Sequence, residues 1–396
     1  MNKKVKYLAI FSLFSTMLGM SFIGGSRGVL VPVLKQDFTI TDSTMGIIFL
    51  ISTLGYMIFT YIVGNILEKI GNKKTLIIGT LIIIGSLTLM IISPNYIIFA
   101  LAYFINGAGN AFLIFGVNFT TPLFAVAFQA ALLNIIHGSY GMGSAFIQKL
   151  TGFLLTNGIG WRQMILGIIG FQIFILILII ISKYPPIPKE AKTDPQGAPI
   201  VHTSPFKNKL TYLYIFALGF GLFGEHGINN WFVNYMKEGF SITENIGSTY
   251  LSIFFILFTI GRFTGGFVLE KIGYIKGVIY AHLITIVIYT VAITLGQDGF
   301  ILFPAAGVLQ AIIYPTMILT IPRVFNRNSA KAMSIIVIGA SLINNLSSYG
   351  LGILNDTIGV TKAFYMLPIQ LSISVIAAFL IYQDNKKKLE AAVSDS

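Results

Sequence analysis

The chain predicts an all-α membrane protein built as two related helical bundles, and three observations carry that prediction. Apolar residues make up 55% of the 396 residues and charged residues only 10%. The apolar residues fall in runs of about 20, long enough for helices to cross a hydrocarbon layer roughly 30 Å thick. Inside lipid such runs must be helical, because every backbone N–H and C=O has to be paired within the segment. The string G-x-x-L-E-K-I-G occurs at Gly64–Gly71 and again at Gly266–Gly273, each time closing an apolar run. A repeat spaced by half the chain marks an internal duplication.

Taken in order, the runs predict twelve spans at 7–34, 43–67, 75–93, 96–118, 130–156, 161–182, 210–236, 246–269, 277–296, 299–321, 331–354 and 360–383. Turn signals separate them, among them Ser93-Pro94-Asn95, Asn157-Gly158-Ile159-Gly160 and Gln297-Asp298-Gly299. Lys3, Lys4 and Lys6 precede the first run, which is too long for a secretory signal and has no small-residue cleavage site followed by a soluble domain. It reads as span 1. The predicted organisation is a six-helix bundle over 1–182, a linker over 183–209, a second six-helix bundle over 210–385 and a tail over 386–396. The linker holds Pro185, Pro186, Pro188, Pro195, Pro199 and Pro205 with mixed charge, a composition that does not bury a core.

Charge sets the orientation and excludes other classes. The amino-terminal tail, the even-to-odd connections and the carboxyl tail hold 19 of the 26 lysines and arginines; the other side holds Lys35, Arg162, Lys237 and Lys362. This bias places both termini and the linker in the cytoplasm. The net charge of +12 therefore reads as topology rather than as affinity for nucleic acid. There is no cysteine, so disulfides and thiolate metal sites are excluded. No metal-ligand spacing and no phosphate-binding glycine loop is present, so neither an enzyme nor a cofactor is expected. The expected setting is a bacterial cytoplasmic membrane, with a monomeric multi-pass protein whose partners are lipid, a small solute and a driving ion.

Arg27, Lys149 and Arg262 are the basic residues within spans, and Glu225 is the carboxylate placed deep in one. Such charges are costly in lipid and default to functional candidates. Gly24–Gly28 (GGSRG) aligns with Phe223–Gly227 (FGEHG), which sets Arg27 against His226, beside Glu225. An engaged Arg27 would favour the ionised Glu225; a desolvated, unpaired Glu225 would hold its proton. A carboxylate of that kind can couple proton movement to solute binding, so Glu225, Arg27 and His226 are the ion-coupling candidates. A fixed structural ion pair is the other reading. His137 and His226 could relay protons near neutral pH or simply pack through hydrogen bonds; His282 is expected at the periphery. Span 5 carries a stripe of Gly138, Gly141, Ala145 and Gly152, with Lys149 on it, which suits close helix packing.

The loop Gly64–Leu76 (GNILEKIGNKKTL) resembles the signature loop after helix 2 of the major facilitator superfamily. Gly64, Leu67, Gly71 and Lys73 fit; Glu68 replaces an aspartate and Asn72 a basic residue. The weaker second copy expected after helix 8 is matched by Gly266–Gly273. The polar strings around Asn106–Asn110, Leu133–Gly143 and Glu225–Trp231 look like the fucose:proton symporter family and its glucose-transporting relatives. The resemblance implies two six-helix bundles that alternate access to a central cavity, with helices 1 and 7 facing it. It also implies a latch role for Gly64, Glu68, Lys69, Gly71, Lys73, Gly266, Glu270, Lys271 and Gly273, with Arg262 joining their network. Two departures stand out. Tyr103 occupies the helix 4 position where proton-coupled members often carry arginine, and helices 1 and 4 lack the carboxylates of the fucose carriers. The helix 5 antiporter signature is absent, since Met142 and Gly143 stand where Gly-Pro would be.

Neutral amides dominate the polar candidates. Asn110, Asn134, Asn230, Gln310 and Asn344, with Trp231 as an aromatic wall, could hold an uncharged polyhydroxylated solute. With Arg27, His137, Glu225 and His226 they form the expected substrate set. The same amides also serve as interhelical glue. The leading reading is a sugar carrier coupled to protons or sodium. The alternatives are an organic anion held by Arg27, with Lys149 as a second cation, or efflux of drugs or metabolites.

Overall fold

A computed structural model describes the backbone of residues 3–124, 129–185, 208–325 and 329–394. The expected linker lies almost wholly outside the described residues. Those described form fourteen α-helices and two 3-10 stretches and sort into two compact units. One comprises Met1–Glu190 with Thr243–Ser252, and the other Ala191–Ile242 with Ile253–Ser396.

The first unit contains α1 (Lys3–Phe38), α2 (Asp42–Ile70), α3 (Asn72–Ile92), α4 (Tyr96–Thr120), a 3-10 turn at Thr121–Phe124, α5 (Gln129–Thr156) and α6 (Trp161–Ile181). α1 packs on α5 and α6, and α4 packs on α2 and α3. Helix starts follow from side-chain caps: the Thr41 hydroxyl accepts from the Thr44 N–H, and Asn95 Oδ1 accepts from Ile97 and Ile98 N–H. The outer-side cations expected at Lys35 and Arg162 are both paired, with Asp42 (2.6 Å) and Asp37 (2.8 Å).

The second unit contains α7 (Lys209–Phe240), most of α8 (Glu244–Ile272), α9 (Tyr274–Leu295), a 3-10 stretch at Gly296–Ala305, α10 (Ala306–Gln310), α11 (Ile313–Phe325), α12 (Ser329–Ile358), α13 (Val360–Ala363) and α14 (Met366–Ser394). α7 packs on α12 and α14, as α1 does on α5 and α6. Two expected spans are therefore not single helices. The tenth is a 3-10 stretch followed by α10 and α11, and the twelfth is α13 followed by α14. In both, the last piece has proline as its third residue, Pro315 in α11 and Pro368 in α14. Proline has no N–H for the preceding turn and fits most readily near a helix start. Nine helical stretches among the described residues are long and apolar enough to cross a membrane. α5 and α7, which carry most of the polar candidates, fall below that hydropathy.

The duplication reaches further than the repeated loop. Gly71 (φ 79°) and Gly273 (φ 90°) each end the preceding helix with a left-handed turn, donating N–H to the carbonyls of Leu67 (2.8 Å) and Leu269 (2.9 Å). A Cβ at Gly107 would overlap the Ser52 carbonyl and lie 2.8 Å from Tyr56 N. A Cβ at Gly307 would overlap the Phe254 carbonyl and lie 3.2 Å from Phe258 N. The same helix crossing thus recurs about 200 residues later. So does an aromatic cluster. Phe38, Phe99, Tyr103 and Trp161 in the first unit correspond to Phe240, Phe300, Phe303 and Phe364 in the second. Ring centroids lie 5.1 Å apart in both Phe38–Phe99 and Phe240–Phe300.

Candidate functional site

In the first unit the polar candidates lie on α1, α4 and α5. Asn106 is fully buried and donates to Ser86 Oγ (3.0 Å), and Asn110 Nδ2 donates to Asn106 Oδ1 (2.9 Å). This relay runs along one face of α4, since the two asparagines are four residues apart. His137 Nε2 is 2.8 Å from Asn118 Oδ1, which ties α5 to α4. Arg27 is half-buried, its guanidinium carbon 5.1 Å from the Phe49 ring centroid and 5.5 Å from that of Tyr103. Its Nε is buried without a hydrogen-bond partner. The two rings supply a cation–π environment in place of a carboxylate. The residue at the expected arginine position of helix 4, Tyr103, is therefore the platform for an arginine of helix 1. Asn134 lies within α5, but its side chain is outside those described.

In the second unit Asn230 Nδ2 (3.2 Å) and Trp231 Nε1 (2.9 Å) both donate to Ser348 Oγ, which joins α7 to α12. Trp231 is fully buried. The expectation of an accessible aromatic wall is corrected here: the indole is a packing residue whose N–H is already committed. Glu225 and His226 are half-buried, with His226 Nδ1 3.0 Å from the Leu222 carbonyl. Gln310 is the last residue of α10, at the break before α11. It is 2% exposed, and neither of its amide atoms has a hydrogen-bond partner. Asn344 is buried with Oδ1 likewise unpartnered. Buried amides of this kind are rare unless something else satisfies them.

Lys149 Nζ donates to Asn245 Oδ1 (2.7 Å) and Thr249 Oγ1 (2.8 Å), which leaves one of its three donors for any further acceptor. One other expectation is corrected: His282 is not peripheral but fully buried, with Nδ1 3.3 Å from Ser374 Oγ.

The latch residues divide into two groups. Gly71 and Gly273 are the left-handed caps. Lys73 Nζ donates to the carbonyls of Ile180 (2.6 Å) and Ser182 (2.9 Å), capping the end of α6 with positive charge. Asn72 Nδ2 donates to the Pro185 carbonyl (2.7 Å) beside it. Lys69, Glu270 and Lys271 are exposed. Gly64 has an ordinary contact, Phe115 at 3.6 Å, and Gly266 has none within 4 Å among the described residues. Arg262 lies over the Phe258 ring (4.9 Å). The Glu68 side chain is outside those described. Sequence reasoning missed Tyr103, Ser86, Asn118 and Ser348 as partners. Aligning the two halves beyond the loop would have exposed Tyr103 through its counterpart Phe303.

The two helical units share matching crossings, caps and aromatic clusters, and the second holds the unpartnered buried amides of Gln310 and Asn344. The comparisons name the class: the profile of the Major Facilitator Superfamily matches residues 9–303 and 215–394, and the chain belongs to that superfamily. It is accordingly a multi-pass membrane transporter and not an enzyme, and its bacterial relatives place it in the plasma membrane. One relative is a Helicobacter pylori protein named "Putative glucose/galactose transporter", 23% identical over 367 residues and covering 87% of this chain and 89% of its own. Another is the quinolone resistance protein NorA of Staphylococcus aureus, 24% identical over 280 residues, covering 65% and 66%. Among solved structures, a bacterial homolog of the human lysosomal transporter Spinster superposes with a TM-score of 0.80 at 14% identity, covering 98% of this chain and 99% of its own. A D-xylose-proton symporter gives 0.76 at 15%, covering 96% and 98%. The fucose:proton symporter of Escherichia coli gives 0.63 at 16%, covering 95% and 98%. These likenesses fix the fold.

Proposed function

We propose that the protein is a secondary carrier for a small neutral sugar, working by alternating access through twelve spans with both termini in the cytoplasm. The observation that carries this reading is the unspent hydrogen-bonding capacity of Gln310 and Asn344, buried amides with no charged group bonded to them. A polyol presents hydroxyls that both donate and accept, and primary amides match both roles. Gln310 sits five residues before Pro315, at a gap in the helical hydrogen-bond ladder where backbone and side-chain polar groups are less fully spent. Asn110 occupies the corresponding place on α4. The names of the Helicobacter pylori relatives agree with a sugar. We assign Glu225 the coupling proton, with Arg27 and His226 as the other ion-coupling candidates; sodium is the other driving ion.

Thermal-shift titration of the purified protein with D-glucose, D-galactose and D-xylose, followed by counterflow in proteoliposomes, tests the assignment. Stabilisation and trans-stimulated exchange by one of these sugars is the expected result. Stabilisation only by quinolones would favour efflux, which the similarity to NorA supports. Stabilisation only by carboxylates such as gluconate would favour an anion held by Arg27, whose buried, unpartnered Nε supports that reading.

A further inference from the structure

Lys149 stands on α5 about two turns before the helix ends at Thr156, and its side chain is exposed. Its donors go to two neutral acceptors, Asn245 Oδ1 and Thr249 Oγ1, four residues apart on one face of α8. On the same side of α8, Ser252 Oγ donates to the Ala145 carbonyl (2.7 Å). Ser248 lies so close to Gly152 that an added Cβ would overlap its hydroxyl, and would also come within 2.9 Å of the Glu244 carbonyl. Ala145, Lys149 and Gly152 on α5 therefore meet Ser252, Thr249 with Asn245, and Ser248 on α8, in reverse order. The glycine gives the approach, the lysine pins it and the serine closes the other end. α8 is divided at this point: Thr243–Ser252 clusters with the first unit, while Ile253 onward clusters with the second.

We propose that Lys149 is a gating residue of the transport cycle: it positions the first turns of α8 on α5 in the state seen here, and the contact is broken in the opposite state. The chemistry suits a reversible contact. An exposed ammonium bonded to two neutral acceptors contributes little enough to be broken and remade. A latch of hydroxyls and one amide holds a helix end without trapping it. This rests on the alternating-access reading above and not on the identity of the solute.

The natural absence of cysteine makes a direct test available. Ser248→Cys and, separately, the fully buried Ala102→Cys are introduced as reporters, and the purified protein in detergent is labelled with a water-soluble maleimide. With Lys149 present, Ser248→Cys should label slowly. In the Lys149→Met background it should label about fivefold to tenfold faster, the effect expected when roughly one hydrogen bond's worth of closing free energy is lost. Lys149→Arg, which keeps a cationic donor, should restore the protection, and Ala102→Cys should stay protected throughout. Equal labelling with and without Lys149, no protection by arginine, or loss of Ala102→Cys protection alongside would each overturn the proposal. A fixed structural contact is distinguished by the pair Ala145→Cys and Ser252→Cys. Oxidation should stop D-glucose counterflow and reductant restore it; counterflow that persists with the cross-link formed would overturn the gating role. Absence of counterflow in the reduced pair as well would count against the sugar assignment alone, with the labelling comparison still deciding the latch.

Discussion

The fourth helix of the first unit and its counterpart in the second begin from the same device and end differently. Gly107 on α4 and Gly307 on α10 each admit the backbone of a crossing helix where no Cβ fits. Yet α4 runs unbroken over Tyr96–Thr120, whereas its counterpart passes from a 3-10 stretch through α10 to α11 with a break after Gln310. The cause is local. Pro304, Pro315 and Pro322 remove three N–H donors from the second copy, and α4 has no proline. The consequence is chemical. Asn110 spends its amide N–H on Asn106 within the continuous helix, while both amide atoms of Gln310 remain unspent at the break. Duplication preserved the packing and let the polar chemistry diverge.

The largest effect should come from attacking what the units share. Gly107→Leu and Gly307→Leu should each lose the monodisperse peak in size-exclusion chromatography, because overpacking against a main chain that cannot yield costs about 3 kcal/mol or more. Normal yield from one of the two would show that the crossings are not equivalent. Next is Glu225→Gln, expected to abolish gradient-driven accumulation in proteoliposomes while sparing counterflow; unchanged accumulation would remove Glu225 from coupling. The amides then test the divergence itself. Gln310→Ala should weaken sugar binding about tenfold in thermal-shift titration, the loss of roughly one good hydrogen bond. Asn110→Ala should have the smaller effect on binding and a larger one on stability, since its amide is bonded within the helix. The smallest effect concerns the loops. Lys73→Met should lower the melting temperature through the loss of two bonds to helix-end carbonyls, about 1–2 kcal/mol. Lys276→Met, at a lysine 5.3 Å from the Tyr382 ring centroid, should lower it less, near the roughly 0.5 kcal/mol of an exposed cation–π contact.

Much of this fold was legible in the sequence, because hydropathy, turn residues and the repeated loop are all local signals. The repeated loop marked Gly71 and Gly273 as equivalent positions, though not as helix caps. The interruptions at Pro315 and Pro368 were readable from the proline rule but were hidden by the apolar runs that continue across them. The site was less legible. Asn106 to Ser86 and Trp231 to Ser348 are contacts between helices, and no periodicity within one helix announces them. Trp231 shows the difficulty: an indole beside an asparagine reads equally as a solute wall or as a core residue, and only its complete burial and its bond to Ser348 decide. Lys149 shows the converse, a charge legible as unusual whose partners lie about 100 residues away on a helix of the other repeat.

The left-handed glycines have one last consequence. Gly71 and Gly273 send the chain off on the same bearing, so whatever follows is presented by residue count alone. Lys73 comes two positions after its glycine and Lys276 three after, a rotation of about 100° around the new helix. That single step of phase delivers one ammonium to the carbonyl rim of α6 and the other to a phenol ring on α14. An ancestral copy could thus acquire new wiring at its hinge points through the spacing of a lysine, with the scaffold left untouched.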